Sequence, residues 1–178
     1  VSNGLEKDAS GRYVINSAFD LAYVSENIAE LSNASFIMKS DVDMAELSSF
    51  SPIGSAEVSF SGTFDGNGKK MTANGNTWPL FATVGVNGVV KNITMDGKFA
   101  KFANAGEAGN ATIAKINLGL IQDVTNYADA TDISVTTGVV FASICGQNGG
   151  TLKRCKNYGD ISVTYASSGN YALYGGGL

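Results

Sequence analysis

The sequence contains no histidine among its 178 residues, and this absence excludes several kinds of chemistry. A Ser-His-Asp or Cys-His catalytic set cannot be built, and metal sites with histidine ligands are excluded as well. Only two cysteines are present, Cys145 and Cys155, and their spacing of ten residues matches no zinc or redox pattern. We interpret them as small core or corner residues, and the sequence leaves open whether they form a disulfide.

Charge, proline and long apolar runs are also scarce. Charged residues make up 16% of the chain and prolines number 2, whereas glycines number 22 and the net charge is −4. No basic patch runs along any segment, so we expect no nucleic-acid partner. No apolar run is long enough to span a bilayer, so we expect no membrane span. Neutral polar residues with many glycines and few charges suit a β protein with many tight corners.

A repeat of 31 residues is the strongest signal in the sequence. Residues 88–98, 119–129 and 150–160 align at this step, residues 111–117 align with 142–148, and a weaker copy at 80–88 aligns with 111–119. The recurring sets are Gly88, Gly119 and Gly150; Val90, Ile121 and Leu152; Asn92, Asp123 and Arg154; Ile93, Val124 and Cys155; Asn117 and Asn148; Asn126 and Asn157; Tyr127 and Tyr158; Asp129 and Asp160. A fixed period in this range indicates a solenoid, a propeller or an array.

The residues inside the repeat favour a β-solenoid. Short alternations of Val, Ile and Thr bounded by Gly and Asn indicate short strands with corners, because helical repeats need apolar residues at 3.6 spacing. A propeller blade needs about 40 residues or more. We therefore predict an all-β fold, a right-handed parallel β-helix (a single-stranded β-solenoid). Its coils of 31 residues would place position i beside position i+31.

The N-terminal part predicts a cap for this solenoid. Ser17 and Asp20 form a capping-box pattern, and apolar residues follow at helical spacing. We predict one domain over residues 1–178, with a capping helix at 17–31 and solenoid coils at 35–178. Residues 172–178 align with 141–147, so the last coil is incomplete. We expect its open edge to be covered by further chain, by a partner or by self-association.

Two stretches resemble the GLUG-motif and related β-helix proteins, namely FSGTFDGNGKKMT at residues 60–72 and PLFATVGVNGVVKNITMDG at residues 79–97. CGQNGGTLKRCKNYGDI at residues 145–161 is similar to that group's repeating unit, whereas Lys115, Ile116 and Ala128 replace its usual glycines. Members are often secreted or surface proteins of Gram-negative gut bacteria. The resemblance implies an extracellular or outer cell-surface solenoid within a larger adhesin, protease or carbohydrate-associated protein.

Carboxylates are the main candidates for chemistry in a chain without histidine. Asp41 and Asp43 are two residues apart and would face the same side of a strand, where they could bind Ca²⁺ or serve glycoside hydrolysis. The structural alternative is that each accepts a hydrogen bond from a backbone amide. Asp65 would serve a turn in the same way. Apart from Ca²⁺, no cofactor is expected.

Aromatic residues suggest a surface for sugars. Tyr127 and Tyr158 should stack one coil apart, either as a glycan-binding face or as corner packing. Tyr165, Tyr171 and Tyr174 add aromatic character nearby, and we interpret Trp78 as corner packing. Asn126 and Asn157 should also stack one coil apart and hydrogen-bond along the solenoid axis.

These observations favour a non-enzymatic module for adhesion, spacing or glycan binding, with a glycan or a host or cell-surface protein as its partner. The alternatives are a pectin-lyase-like enzyme that degrades polysaccharides and an accessory domain of a surface protease. The enzymatic alternative requires Asp96, Asp123 and Arg154, or Asp41 and Asp43, to converge in one groove.

Overall fold

The computed structural model describes residues 4–75, 79–99, 111–135, 139–165 and 173–177. Within these ranges the chain has an all-β fold with few helices, and its strands pair almost entirely in parallel. The helices are α1 (Ala18–Glu26) and α2 (Ile28–Leu31), with a 3₁₀ turn at Met44–Glu46. The strands are β1 (Tyr13–Ile15), β2 (Ser35–Met38), β3 (Val42–Asp43), β4 (Thr63–Asp65), β5 (Lys70–Asn74), β6 (Phe81–Val84), β7 (Val89–Lys98), β8 (Ala114–Asn117), β9 (Leu120–Asn126), β10 (Ala130–Val135), β11 (Val139–Ala142), β12 (Cys145–Asn148), β13 (Thr151–Lys153), β14 (Lys156–Asn157), β15 (Ile161–Tyr165) and β16 (Leu173–Gly176).

The helical segment begins with the predicted capping box. The backbone N–H of Asp20 donates to the Ser17 hydroxyl, and the Asp20 carboxylate accepts from the Ser17 N–H. The sequence predicts one helix over residues 17–31, whereas the structure separates α1 from α2 at Asn27. That residue leaves the helical conformation, with φ −111° and ψ 23°, and its side-chain amide donates to the carbonyl of Tyr23. A short polar side chain that bonds to the backbone in this way commonly ends a helix.

Residues 4–12 cover the first strand. The chain makes an antiparallel bridge between Lys7 and Tyr13, and the N–H of Val14 donates to the carbonyl of Glu6 at 2.9 Å. On its other side β1 pairs in parallel with β2. The N-terminal edge of the main sheet is therefore occupied by the chain itself.

The predicted register of 31 residues is confirmed where the repeat is strongest. Strand β7 pairs with β9 so that Val90 lies beside Ile121, and β9 pairs with β13 so that Ile121 lies beside Leu152. Strands β8 and β12 follow the same step, with Ala114 beside Cys145. Each aliphatic column places buried side chains directly above one another, and Val90 and Ile121 are both 0% exposed.

Two alignments at 31 residues were wrong. Strand β6 pairs with β8 at a step of 33, with Phe81 beside Ala114, because a four-residue turn at residues 85–88 replaces the two-residue connection at residues 118–119. The N–H of Gly88 closes that turn on the carbonyl of Gly85 at 2.8 Å. Strand β16 pairs with β11 at a step of 34, with Val139 beside Leu173, and the connection before β16 lies outside the described residues.

Aromatic rings that contact one another at tilted angles fill the N-terminal half of the core. The ring centroids of Phe60 and Phe81 are 4.9 Å apart, and those of Phe36 and Phe64 are 6.3 Å apart. All four side chains are 0% exposed. Burying a side chain of this size stabilises a fold by roughly 1.5–3 kcal/mol. The core therefore continues from the aromatic rings into the aliphatic columns of the later strands.

The glycine column has a steric cause. A Cβ atom on Gly119 would overlap the backbone carbonyl oxygens of Gly88 and Gly85, and one on Gly150 would overlap the carbonyl of Gly119. Only glycine lets neighbouring repeats approach this closely at the start of β7, β9 and β13.

We expect Gly119→Ala to lower the free energy of unfolding by about 2 kcal/mol, because the added methyl group must displace the backbone of the neighbouring repeat. Urea denaturation followed by circular dichroism measures this change. Gly177→Ala is the matched control, since a Cβ there has nothing within 4 Å. Equal stability of the two variants would contradict the steric origin of the column.

Candidate functional site

A column of polar residues with left-handed backbone runs through β7, β9 and the link between β13 and β14. Asn92, Asp123 and Arg154 have φ values of 57°, 54° and 52°. Asparagine and aspartate adopt this conformation more readily than other non-glycine residues, whereas an arginine there is unusual. The column therefore marks a corner that these three repeats share.

Arginine at the top of this corner column is held by an ion pair. Arg154 Nε and Nη2 donate to the two carboxylate oxygens of Asp123 at 2.5 and 2.6 Å. This bidentate contact lowers the pKa of Asp123 and raises the pKa of Arg154. The carboxylate of Asp123 and the guanidinium group of Arg154 thus neutralise each other.

Asp65 has the predicted turn role and a second contact in the next repeat. Its carboxylate accepts from the N–H of Asn67 and from the Asn92 side-chain amide, both at 2.9 Å, and lies 3.4 Å from the Lys91 ammonium group. Burial alone would raise the pKa of Asp65, but the hydrogen bonds and the lysine outweigh it and the pKa is lowered.

The remaining acidic candidates also have structural contacts. Asp41 accepts from the N–H of Lys70, and Asp43 accepts from the N–H of Ala45, both at 2.9 Å. Asp96 accepts from the Lys70 ammonium group at 3.3 Å. Of the predicted convergent set, the structure therefore brings Asp123 and Arg154 into contact, whereas Asp96 pairs with a different residue. Within the part of the chain that the structure describes, no group of three acidic or cysteine side chains could hold a metal ion.

Both cysteines are free and poorly reactive. Burial raises the pKa of the Cys145 thiol to about 11, and burial also raises the pKa of the half-buried Cys155. A protonated thiol is a weak nucleophile. The interpretation as small packing residues is confirmed by their position against the core.

Two asparagine ladders connect consecutive repeats, of which the one between Asn126 and Asn157 was predicted. The side-chain amide of Asn117 donates to Asn148 Oδ1 at 2.7 Å, and that of Asn126 donates to Asn157 Oδ1 at 2.8 Å. The lower members, Asn117 and Asn126, are 0% and 1% exposed. Each buried amide is thus satisfied by its counterpart in the next repeat.

Tyr127 and Tyr158 form an exposed aromatic pair next to one ladder. Their ring centroids are 5.1 Å apart with an interplanar angle of 15°, and the residues are 51% and 60% exposed. Because the rings stack on each other, a ligand can reach only their edges and outer faces. Trp78 and Tyr171 lie outside the described residues, and Tyr165 and Tyr174 lie in β15 and β16.

An open groove adjoins the tyrosine pair. It is shallow and open to solvent, with a volume of about 660 Å³. Its lining consists of Cys155, Lys156, Asn157, Tyr158 and Gly177. By contrast, an apolar cavity beside Met44 and Met71 has a volume of about 10 Å³, which is room for about one water molecule. The groove therefore has room for a ligand, whereas the apolar cavity does not.

Among the residues that the structure describes, none of the helices is both long and apolar enough to pass through a membrane.

The chain is similar in fold to one protein of gut bacterial origin. No protein-family model matches the sequence, and no curated protein matches it significantly. The crystal structure of a Bacteroides ovatus protein described as a "putative immunoglobulin A1 protease" superposes with a TM-score of 0.61 at 17% identity. The match covers 89% of this chain and 60% of that chain, so this chain spans less than two thirds of its length.

Replacing Arg154 with alanine is expected to raise the pKa of Asp123. The guanidinium group stabilises the charged carboxylate, so its removal makes protonation easier. Because the pKa of Asp123 is lowered in the folded state, the ion pair stabilises the fold at pH values above the ordinary pKa of aspartate. This stabilisation is lost as the pH falls through the lowered pKa of the folded state. Titration of the carboxyl carbon by NMR measures the shift. Lys156→Ala is the control, and an unchanged pKa in Arg154→Ala would contradict the contact.

Proposed function

We propose that the chain is a right-handed parallel β-helix module, related to the GLUG-motif proteins, that acts outside the cell or on its outer surface in adhesion, spacing or glycan binding. The observation that carries this proposal is the parallel pairing of residues 31 apart through consecutive repeats. Stacking of this kind makes a stiff rod whose outer side chains stand in regular columns. A stiff rod can present binding surfaces or hold them apart within a larger protein.

The contacts of the charged side chains support a non-catalytic role. Asp41, Asp43 and Asp65 each accept from backbone amides, and Asp123 is paired with Arg154. A general acid or nucleophile requires a carboxylate that faces the substrate with a tuned pKa. The pKa of Asp123 is lowered by its partner, which opposes a role as a proton donor at neutral pH. These contacts favour a binding module over a pectin-lyase-like enzyme.

The glycan-binding proposal rests on the exposed tyrosines and the groove beside them. The edges and the outer faces of Tyr127 and Tyr158 offer apolar surface to a sugar ring, while Lys156 and Asn157 add polar groups in the groove. Sites for neutral sugars combine these two kinds of surface. A Ca²⁺ ion bridging Asp41 and Asp43 stays a weaker proposal, because both carboxylates already accept backbone amides.

A second candidate is an accessory domain of a surface protease. Support comes from the fold shared with the longer Bacteroides ovatus protein, of which this chain spans 60%. The absence of histidine excludes the histidine-dependent protease mechanisms, so the chain would supply binding or spacing and not cleavage.

We expect the chain to bind at least one sugar on a glycan array. Tyr127→Ala and Tyr158→Ala should each weaken that binding about three- to tenfold, which corresponds to the loss of one aromatic contact. Phe19→Ala is the matched control, since Phe19 is 61% exposed on α1. An empty array, or binding unchanged in both tyrosine variants, would rule out the tyrosine site.

The accessory role predicts that the isolated chain leaves immunoglobulin A1 intact. Gel electrophoresis after prolonged incubation should show only the full-length heavy and light chains, while surface plasmon resonance measures binding separately. Specific fragments that appear with the chain, and not with a heat-denatured sample, would show that the chain is itself a protease.

A further inference from the structure

Several asparagines of the chain are followed directly by glycine, and such pairs can lose the side-chain amide without an enzyme. Glycine has no Cβ to shield its backbone nitrogen, so this nitrogen can attack the asparagine Cγ. Ammonia then leaves and a succinimide ring forms, which water opens to aspartate or isoaspartate. Four such pairs lie in the described part of the chain: Asn67-Gly68, Asn74-Gly75, Asn87-Gly88 and Asn148-Gly149.

The attacking nitrogen is held differently at Gly88 than at the other three glycines. The N–H of Gly88 donates to the carbonyl of Gly85 in the same turn, at 2.8 Å. Each of the other glycines donates to a neighbouring repeat, so its nitrogen is freed only when two repeats separate. Opening one surface turn requires much less free energy than separating paired strands. The acceptors in the neighbouring repeats are the carbonyls of Asn92 for Gly68, Lys98 for Gly75 and Asn117 for Gly149, at 2.9, 2.8 and 2.8 Å.

The side chain of Asn87 also differs from those of the other three asparagines. Asn87 is exposed, and none of the residues that the structure describes hydrogen-bonds to its side chain. It is therefore free to rotate until its Cγ approaches the nitrogen of Gly88. In the other pairs a hydrogen bond restrains this rotation. The partners are the Met38 carbonyl for Asn67 at 3.1 Å, the Met44 carbonyl for Asn74 at 3.0 Å and the Asn117 side-chain amide for Asn148 at 2.7 Å.

We propose that Asn87 is a site of spontaneous deamidation in the folded protein, and that it reacts ahead of the other three described pairs. The Gly88 nitrogen displaces ammonia from the Asn87 Cγ, and water opens the succinimide. The product adds one negative charge to the exposed turn at residues 85–88. Isoaspartate also carries the backbone through the side-chain carbon. The turn is then lengthened beside Gly88, where the backbone already lies against the carbonyl of Phe60.

Peptide mapping by mass spectrometry measures the reaction at each asparagine. The full chain is incubated in mildly alkaline buffer, once folded and once in concentrated urea, and digests are taken over time. In the folded chain Asn87 should convert at least about tenfold faster than Asn67, Asn74 or Asn148. This ratio corresponds to a difference of about 1.4 kcal/mol in the free energy of opening. In urea the four sites should convert at similar rates, because glycine follows each of them.

The variant Asn87→Ser checks the assignment. Asn74 and Asn87 fall on one tryptic peptide, between Lys70 and Lys91, so fragment ions are needed to locate the change. In the folded chain the variant should slow conversion of this peptide at least about tenfold. The substitution leaves the fold intact, since Asn87 is exposed and its side chain holds no described hydrogen bond.

Three results would overturn the proposal: equal rates at the four sites in the folded chain, a faster rate at one of the other three, or an Asn87 that converts only in urea. Unchanged conversion of the tryptic peptide in Asn87→Ser would also overturn it. The measurement needs no ligand, so its result is independent of the proposed function.

Discussion

The close approach of one repeat to the next is the constraint on which the rest of the structure depends. Neighbouring strands in a sheet lie about 4.8 Å apart, and the repeats must keep this spacing at every column. At Gly88, Gly119 and Gly150 the backbones come so close that no side chain fits. Wherever side chains do fit, each must tolerate its own counterpart directly above it. Aliphatic groups, aromatic rings and side-chain amides satisfy this condition, whereas like charges repel each other. Where like charges do recur, at Asp129 and Asp160, the Asp129 carboxylate accepts a hydrogen bond from the N–H of Asp160.

The same constraint explains how the few charges are arranged. A column with one charge repeated would be repulsive, and the corner column avoids this by placing asparagine, aspartate and arginine in succession. Arg154 then meets Asp123, and Asn92 meets Asp65 in the repeat below. The left-handed backbone conformation at this corner has a higher free energy for an arginine than for an asparagine. The bidentate ion pair offsets this difference. These contacts hold neighbouring repeats together.

The sequence predicts those parts of the fold that every repeat must satisfy. The 31-residue register, the asparagine ladders and the stacked tyrosines follow from columns that recur in the sequence, and the structure confirms them. Strand β1 was not predicted, because its three residues have no counterpart in the repeat and are too few to show an alternating pattern. The step of 33 arises from a longer turn at residues 85–88, which changes the length of the repeat without changing its apolar pattern. The left-handed backbone of the corner column could not be predicted from the sequence, because arginine, which occupies one of its positions, has no preference for that conformation.

The candidate sites are less predictable for a related reason. A column in the sequence shows which residues stack, but it does not show whether a ligand can reach them. The tyrosine rings cover one face of each other, so exposure of the residues overstates the ring surface that a sugar can use.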